Sequence, residues 1–172
     1  GKVLPMHYMA EATSLARRRA LATHLDGARL FNAAVALGGG DARSTAHEIA
    51  SHFDSVSVCF SKGLGAPVGS ALVGSAEFIR CAHRWRKMLG GGMRQSGLLA
   101  AAAIHALDHH VDRLGDDHAL AKRLADGLGG LPGMSVEPPQ TNIVFADLQG
   151  PRAQGLIEHL KSRGVLATGL YR

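Results

Sequence analysis

The chain has 172 residues, of which 46% are hydrophobic and 19% charged, so it is long enough for one packed core or for parts of two domains. No apolar run reaches the roughly 18 residues of a membrane-spanning helix, and the first residues lack the order of a signal peptide, so we expect a cytoplasmic protein without a membrane partner. The net charge is +5, but the basic residues are scattered and no aromatic residues alternate with them, so we expect no nucleic-acid binding.

Helices and strands alternate along the first 116 residues. Apolar residues recur at helical spacing in several stretches, whereas polar and apolar side chains alternate over residues 55–60 as they do in a strand. The predicted helices are 8–17, 30–37, 44–52, 77–87 and 95–114, and the predicted strands are 21–25, 55–60 and 69–74. Residues 26–29 would form the turn after the first strand, and Ser44 or Thr45 would cap the third helix. Strands separated by helices indicate an α/β fold with an open, mostly parallel sheet.

The pattern changes after Asp116. The predicted elements beyond it are helices over 118–128 and 153–163 and strands over 141–146 and 164–168. A unit of this size and order is typical of a small α+β domain. We therefore expect residues 1–116 to be part of an α/β domain and residues 117–172 to be most of a small α+β domain.

One stretch combines a strand, a glycine-rich turn and a lysine: Asp54-Ser-Val-Ser-Val-Cys-Phe-Ser-Lys62-Gly-Leu-Gly-Ala-Pro-Val-Gly69. Its glycines allow a tight turn and a close approach to a bound group, although their spacing is not that of a known phosphate loop. A lysine at the end of a buried strand is costly to desolvate, and its neutral amine is a nucleophile toward carbonyl groups. Lys62 is therefore predicted to form an imine. A lysine whose amine simply reaches solvent remains the alternative.

Asp26 follows the first predicted strand, as Lys62 follows the central one. Ligands of open α/β sheets bind beyond the carboxyl ends of the strands, so we expect Asp26 and Lys62 to share one crevice. An aspartate can keep the pyridinium nitrogen of pyridoxal phosphate protonated while a lysine holds its aldehyde group, so the pair points to this cofactor. Taken alone, Asp26 is also explained as an aspartate that caps a turn before glycine.

Further polar residues could surround this crevice. Arg29 could bind a substrate carboxylate through its planar guanidinium group, or lie in solvent at the start of a helix. His24 lies two residues before Asp26 on the same strand face and is expected to hydrogen-bond within the site. A basic cluster beside the flexible segment 90–92 predicts binding of a small anion, with a plain surface cluster as the alternative. Its members are Arg84, Arg86, Lys87 and Arg94.

The histidines and cysteines predict neither a metal site nor a disulfide framework. His105 and His109 are four residues apart on a predicted helix, but no third ligand follows at a recognisable spacing, so we expect solvated or packed histidines. Cys59 and Cys81 are too few for a disulfide framework, and we expect both thiols to be reduced.

Three blocks of the chain carry a family resemblance. They are His24-Leu-Asp-Gly-Ala-Arg-Leu-Phe-Asn-Ala-Ala-Val-Ala-Leu37, Ser55-Val-Ser-Val-Cys-Phe-Ser-Lys-Gly-Leu-Gly-Ala-Pro-Val-Gly69 and Arg86-Lys-Met-Leu-Gly-Gly-Gly-Met-Arg-Gln95. Together, and in this order, they resemble the low-specificity L-threonine aldolases, which are fold-type-I pyridoxal-phosphate enzymes. The resemblance covers essentially the whole chain. It implies part of an aspartate-aminotransferase-like large domain followed by most of a small domain.

The resemblance also implies roles for single residues. Lys62 would be the catalytic residue that binds the cofactor covalently, Asp26 would contact the ring nitrogen, and Arg29 would bind the substrate carboxylate. Lys87 would help bind substrate and Arg94 the cofactor phosphate, within a neighbouring subunit's site of a homo-oligomer, a tetramer.

The implied reaction is the retro-aldol cleavage of L-threonine or L-allo-threonine, small β-hydroxy-α-amino acids, to glycine and acetaldehyde. A related β-eliminating amino-acid lyase and a non-catalytic fragment of such an enzyme remain alternatives.

The chain also departs from the family pattern. Family members carry a further N-terminal portion with a phosphate loop and a residue that stacks on the cofactor ring, so we expect these 172 residues alone to bind pyridoxal phosphate weakly and to be incomplete as an enzyme. The family has another carboxylate-binding arginine near the end of this chain, but that role is not assigned to Arg172. Residues 38–45 are predicted to form a surface insertion.

Overall fold

The computed structural model describes residues 1–148 and 152–169, which contain both helices and strands. The helices are α1 (Met6–Arg18), α2 (Leu30–Leu37), α3 (Ala42–Ser51), α4 (Ala76–Met88), α5 (Gly97–His109), α6 (Leu114–Gly129) and α7 (Arg152–Ser162). The strands are β1 (His24–Gly27), β2 (Ser55–Cys59), β3 (Ser70–Gly74), β4 (Met134–Glu137) and β5 (Phe145–Leu148). Within the described ranges, no helix combines the length and the apolar character needed to cross a membrane. Arg172 lies outside the described residues.

The first three strands form a sheet with β2 in the centre. β1 runs parallel to β2, with Asp26 opposite Ser57. β3 runs antiparallel to β2, since the chain turns straight back after β2 without the long crossover that a parallel neighbour requires. Gly27 allows a close approach of β1 to β2, because a Cβ atom at this position would lie 2.8 Å from the carbonyl oxygen of Ser57. The carboxyl ends of β1 and β2 therefore lie at the same edge of the sheet.

Two clusters of buried side chains hold this part of the chain together. The first packs α1, α2 and α3 on the sheet and consists of Met9, Leu30, Ala34, Ala46, Ile49, Val56 and Val58. The second joins the segment after β2 to the end of α5 and the start of α6, and consists of Leu64, Ala66, Ala106, Val111 and Leu114. Burial of apolar area supplies most of the favourable free energy of folding, so the second cluster holds the segment after β2 against α5 and α6.

The last two described strands, β4 and β5, form a separate antiparallel pair. Helix α6 packs against this pair and also against α2. The domain boundary predicted near residue 116 lies in the first turn of α6. This helix thus contacts elements on both sides of the boundary, and the division into residues 1–116 and 117–172 stays a prediction.

The first strand begins later than predicted. It spans His24–Gly27 rather than residues 21–25, so Asp26 and Gly27 are strand residues and the turn predicted over 26–29 is confined to residues 28 and 29. The amide and the hydroxyl group of Thr23 both donate to the Asp54 carboxylate, at 2.7 and 2.8 Å. These bonds hold the pKa of Asp54 below its usual range and fix the point where β1 and β2 begin to pair.

Two predicted helix ends are also wrong. The third helix begins at Ala42, because the Asp41 carboxylate, and not Ser44 or Thr45, accepts the capping hydrogen bond. The helix predicted over 95–114 ends at His109. The helix ends there, and Val111, which follows it, is completely buried. A new helix, α6, starts at Leu114 and includes the helix predicted over 118–128.

The strands of the last part differ most from the prediction. The sequence predicts a strand over residues 141–146, but the strand is Phe145–Leu148, and the sequence pattern does not predict its partner, Met134–Glu137. Residues 164–168 are not a strand. Their apolar side chains fit the strand pattern, but a strand also needs a hydrogen-bonding neighbour, and no such neighbour occurs among the described residues.

Candidate active site

Two predicted site residues lie at the same edge of the sheet. Asp26 is the third residue of β1, and its register partner is Ser57 of β2. Lys62 follows three residues after the end of β2. Because β1 and β2 are parallel neighbours, both side chains belong to the edge at which open α/β sheets bind their ligands.

Asp26 connects the end of β1 to the start of α2. Its side chain is exposed, and Oδ1 accepts a hydrogen bond of 3.1 Å from the Ala28 amide. This local bond is the turn-stabilising contact that aspartates commonly make to the backbone two residues on. The second carboxylate oxygen has no described hydrogen bond, so the turn contact leaves Asp26 able to accept a further donor.

Arg29 lies beside Asp26, at the N-cap of α2. The two residues and Lys2 line a cavity of about 130 Å³. The Nε atom of Arg29 is buried and has no hydrogen-bond acceptor among the described residues. Leaving a buried donor unpaired costs roughly 1–3 kcal/mol, and more when the group is charged, so this position favours the binding of an acceptor.

Lys62 is exposed, and its Nζ atom lies 3.6 Å from the Cys59 Sγ atom. The expectation of a lysine buried at a strand end is therefore wrong for this chain, because β2 stops at Cys59 and the following segment carries the side chain beyond the sheet. The amine is accessible to a reaction partner. Lys62 does not line the cavity that contains Asp26 and Arg29.

The segment that carries Lys62, residues 60–69, is called the lysine loop below. Its backbone closes on itself, as the Gly65 amide donates to the Lys62 carbonyl at 2.8 Å and the Ala66 amide to the Phe60 carbonyl at 2.9 Å. Gly65 has a φ of +73°, a conformation that glycine adopts at little cost. The loop backbone is therefore defined, whereas the Lys62 side chain points out of it.

Gly63 in the lysine loop packs against Asn32, which pairs with His118. A Cβ atom on Gly63 would lie 2.8 Å from Leu114 Cδ2 and 3.1 Å from Asn32 Oδ1. Asn32 is buried, and its Nδ2 atom lies 3.1 Å from Nε2 of His118. Since the amide nitrogen can only donate, His118 accepts this bond through a neutral imidazole. Burial lowers the pKa of His118, and the nearby Asp117 carboxylate opposes this effect.

This pair predicts a stability change in mild acid. The pKa of His118 lies below its ordinary value of 6.5 in the folded chain, so below that pH the unfolded chain takes up the proton first. Stability should therefore fall as the pH drops from about 6.5 through the folded pKa. The His118→Gln variant keeps an acceptor for Asn32 but does not titrate, so we expect its melting temperature to fall less between pH 7 and pH 5, by about a few degrees.

Thermal melts of the full-length protein, expressed from its complete reading frame, would measure this difference. His47→Gln is the matched control, since His47 is exposed on α3. Equal pH dependence of the His118→Gln and His47→Gln variants would contradict the prediction.

The basic cluster lies apart from Asp26 and Arg29. Lys87 is in the last turn of α4, Arg94 follows in the segment after it, and both are exposed. Neither lines the cavity that contains Asp26. Arg86 lines a different cavity of about 470 Å³ between the sheet and α4, together with His83.

The remaining candidates have local partners. His24 Nδ1 lies 2.9 Å from the Ser55 hydroxyl, its register neighbour on β2. The rings of His105 and His109 contact each other, with centroids 4.5 Å apart. Both cysteines, Cys59 and Cys81, are free thiols. Across residues 1–148 and 152–169, no group of three His, Cys, Asp or Glu side chains could hold a metal ion.

Sequence reasoning did not find three residues that support the lysine loop, namely Asn32, His110 and His118. The hydrogen-bonded residues Asn32 and His118 are 86 positions apart in the sequence, and His110 and Leu64 are 46 positions apart. Each residue is an ordinary member of a helical stretch, and no local pattern marks it. Only the packing of α2, α5 and α6 brings the three residues to the loop.

The fold is that of solved threonine aldolases. The chain superimposes on a protein from Exiguobacterium sp., solved as a candidate aromatic amino acid beta-eliminating lyase/threonine aldolase, with a TM-score of 0.82, 31% identity and coverage of 99% of this chain and 48% of that chain. The threonine aldolase of Leishmania major gives a TM-score of 0.70 at 21% identity, over 88% of this chain and 44% of that one. The α/β, fold-type-I class predicted from the sequence is confirmed.

The sequence match identifies the family. Residues 1–151 match the profile of the beta-eliminating lyase family, and the chain belongs to this family. It is 49% identical over 166 residues to the low specificity L-threonine aldolase of Escherichia coli K12, covering 96% of this chain and 48% of that protein. It is 45% identical to low-specificity L-threonine aldolase 1 of Arabidopsis thaliana, covering 96% of this chain and 46% of that protein. The chain thus spans about half the length of these relatives, and the predicted resemblance is confirmed.

Proposed function

We propose that the full-length protein is a pyridoxal-phosphate-dependent lyase that cleaves L-threonine or L-allo-threonine to glycine and acetaldehyde. Support comes from the relatives that carry the name low-specificity L-threonine aldolase and match nearly all of this chain. The observation that carries the proposal is the placement of Asp26 and Lys62 at the carboxyl ends of two adjacent parallel strands.

The residues present fit this cofactor. Lys62 offers an exposed amine whose one described side-chain partner is the Cys59 thiol, and Asp26 has a carboxylate oxygen free for a protonated ring nitrogen. When bound, pyridoxal phosphate supplies an electron sink for the electron pair that remains on the substrate after its Cα–Cβ bond breaks. Asp26 would keep a proton on the ring nitrogen, and Lys62 would bind the aldehyde group.

Arg29 is proposed to bind the substrate carboxylate. Its buried Nε atom has no acceptor among the described residues, and a carboxylate can satisfy an arginine Nε and one terminal nitrogen at once. This contact would orient the substrate next to Asp26, which lines the same cavity. No described residue is assigned as the base that removes the proton of the substrate hydroxyl.

Lys87 and Arg94 are proposed to act across a subunit interface, Lys87 on the substrate and Arg94 on the cofactor phosphate. The segment from residue 85 to residue 98, which contains both, exposes several large apolar side chains, and such exposure is typical of interaction sites. These side chains are Trp85, Met88, Leu89, Met93 and Leu98. We propose a cytoplasmic homo-oligomer, a tetramer, whose sites are shared between subunits.

A product assay tests the proposed reaction. The full-length protein, supplied with pyridoxal phosphate, should release acetaldehyde and glycine in equal amounts from L-threonine or L-allo-threonine. Release of ammonia and a keto acid instead would assign the β-eliminating reaction, and absence of turnover with both substrates would favour a non-catalytic role. Sedimentation of the same sample measures the oligomeric state, and a monomer would contradict the shared sites.

A further inference from the structure

His110 makes a polar contact with the lysine loop that no proposed role explains. It caps the C-terminal end of α5, and its Nδ1 atom lies 2.6 Å from the carbonyl oxygen of Leu64. The carbonyl can only accept, so the imidazole donates through Nδ1–H. The distance is short for a nitrogen donor. His110 thus holds the backbone two residues after Lys62.

Buried residues lie on both sides of the contact between His110 and Leu64. Ala106, whose carbonyl accepts from the His110 amide at 2.9 Å, is 1% exposed, and the next residue, Val111, is fully buried. On the loop side, Leu64 and Ala66 are buried in the same cluster as Val111. The hydrogen bond therefore joins two well-packed segments of the chain.

The loop backbone connects the Leu64 carbonyl to Lys62. Leu64 is followed by Gly65, whose amide donates to the Lys62 carbonyl at 2.8 Å. A shift of the Leu64 carbonyl would therefore displace the backbone from which the Lys62 side chain extends. A misplacement of about 1 Å of a reacting group can cost on the order of a hundredfold in rate.

From this connection we propose that His110 is a positioning residue for Lys62. It fixes the lysine loop through the Leu64 carbonyl and so directs the Lys62 amine toward the cofactor aldehyde. The inference rests on the proposed function, because the amine must react for its position to matter. His110 itself contacts neither Lys62 nor Asp26 in the hydrogen bonds of the described residues.

Three substitutions in the full-length protein test the proposal. His110→Phe keeps a ring next to His105, whose ring it meets edge-on at 5.3 Å, but removes the donor. His110→Asn keeps a donor close to the place of Nδ1. His109→Phe is the matched control, since His109 is the preceding residue and is exposed.

The first readout is hydrogen exchange of the lysine loop in the cofactor-free protein. Loss of one hydrogen bond should raise the exchange rates of Gly65 and Ala66 by roughly 2- to 10-fold in His110→Phe, with no comparable change in the β4–β5 pair. The His110→Asn and His109→Phe variants should exchange like the parent. Equal loop exchange in His110→Phe and His109→Phe, or a rise of the same size in the β4–β5 pair, would overturn the proposal.

The second readout is the rate at which pyridoxal phosphate and borohydride label Lys62, mapped by peptide mass. Labelling and kcat should fall by about 10- to 100-fold in His110→Phe, with a smaller change in KM, and should recover in His110→Asn. Unchanged labelling would overturn the positioning role. If Lys62 of the parent is not labelled at all, the proposed function fails, whereas the exchange data still decide whether His110 holds the loop.

Discussion

Replacement of Lys62 by alanine is expected to abolish covalent cofactor binding and to lower turnover by roughly four to six orders of magnitude, the range seen when single members of a catalytic triad are removed. The side chain is exposed, and its described hydrogen bond is a long one to the Cys59 thiol. The fold should therefore tolerate the change. Absorbance of the bound cofactor and borohydride trapping measure the covalent link directly.

Two further substitutions make this experiment specific. Lys62→Arg keeps the positive charge but has no amine that can attack an aldehyde, so it should be as inactive as Lys62→Ala. Lys122→Ala removes an exposed lysine from a surface ion pair on α6 and should leave activity unchanged. Borohydride-stable cofactor on the Lys62→Ala protein would show that another residue carries the aldehyde.

The second large effect is expected for Asp26→Asn. An asparagine side chain can still accept the hydrogen bond from the Ala28 amide, so the turn into α2 should persist. A neutral amide cannot stabilise a protonated ring nitrogen, and losing one charge-assisted hydrogen bond of roughly 1.5–3 kcal/mol corresponds to about a ten- to hundredfold or larger loss in kcat. Cofactor binding should be weakened but not lost.

Steady-state kinetics of the full-length protein measure this effect. Asp147→Asn, which removes an exposed carboxylate from β5, is the control for the change in net charge. A kcat of Asp26→Asn equal to that of Asp147→Asn would remove Asp26 from its proposed role.

The sequence predicts the elements around Asp26 and Lys62 well because their signals are local. The helix over Leu30–Leu37 is matched residue for residue, since its apolar spacing and the glycines after it are enough to define it. The strand before Lys62 is recognised from its alternating side chains. The shared edge then follows from the parallel order of strands in an α/β sheet.

Predictions fail where distant residues decide the structure. The first strand starts at His24 because Asp54 binds the Thr23 amide and hydroxyl group, 31 positions away. The helix predicted over 95–114 breaks because Val111 is drawn into the core, and Arg43 on α3 donates to the Leu107 carbonyl at 2.7 Å, in the last turn of α5. Neither contact has a signature in the sequence around it.

The exposure of Lys62 is a failure of another kind. The sequence predicts a buried position at the strand end, but the buried residues after β2 are Leu64 and Ala66, not Lys62. Burial after the strand depends on how the chain turns toward α5 and α6. Tertiary packing determines this turn, and the local sequence pattern does not predict that packing.

The contrast between the closed backbone of the lysine loop and the free side chain of Lys62 has an entropic consequence. Because backbone hydrogen bonds and buried neighbours already fix the loop, ordering the site on ligand binding requires little further loss of main-chain freedom. What remains is the rotamer freedom of a single lysine, about 2 kcal/mol. The amine can therefore move through the volume above the sheet edge from a fixed backbone, and the loop's share of the ordering cost on ligand binding lies in the rotatable bonds of this one side chain.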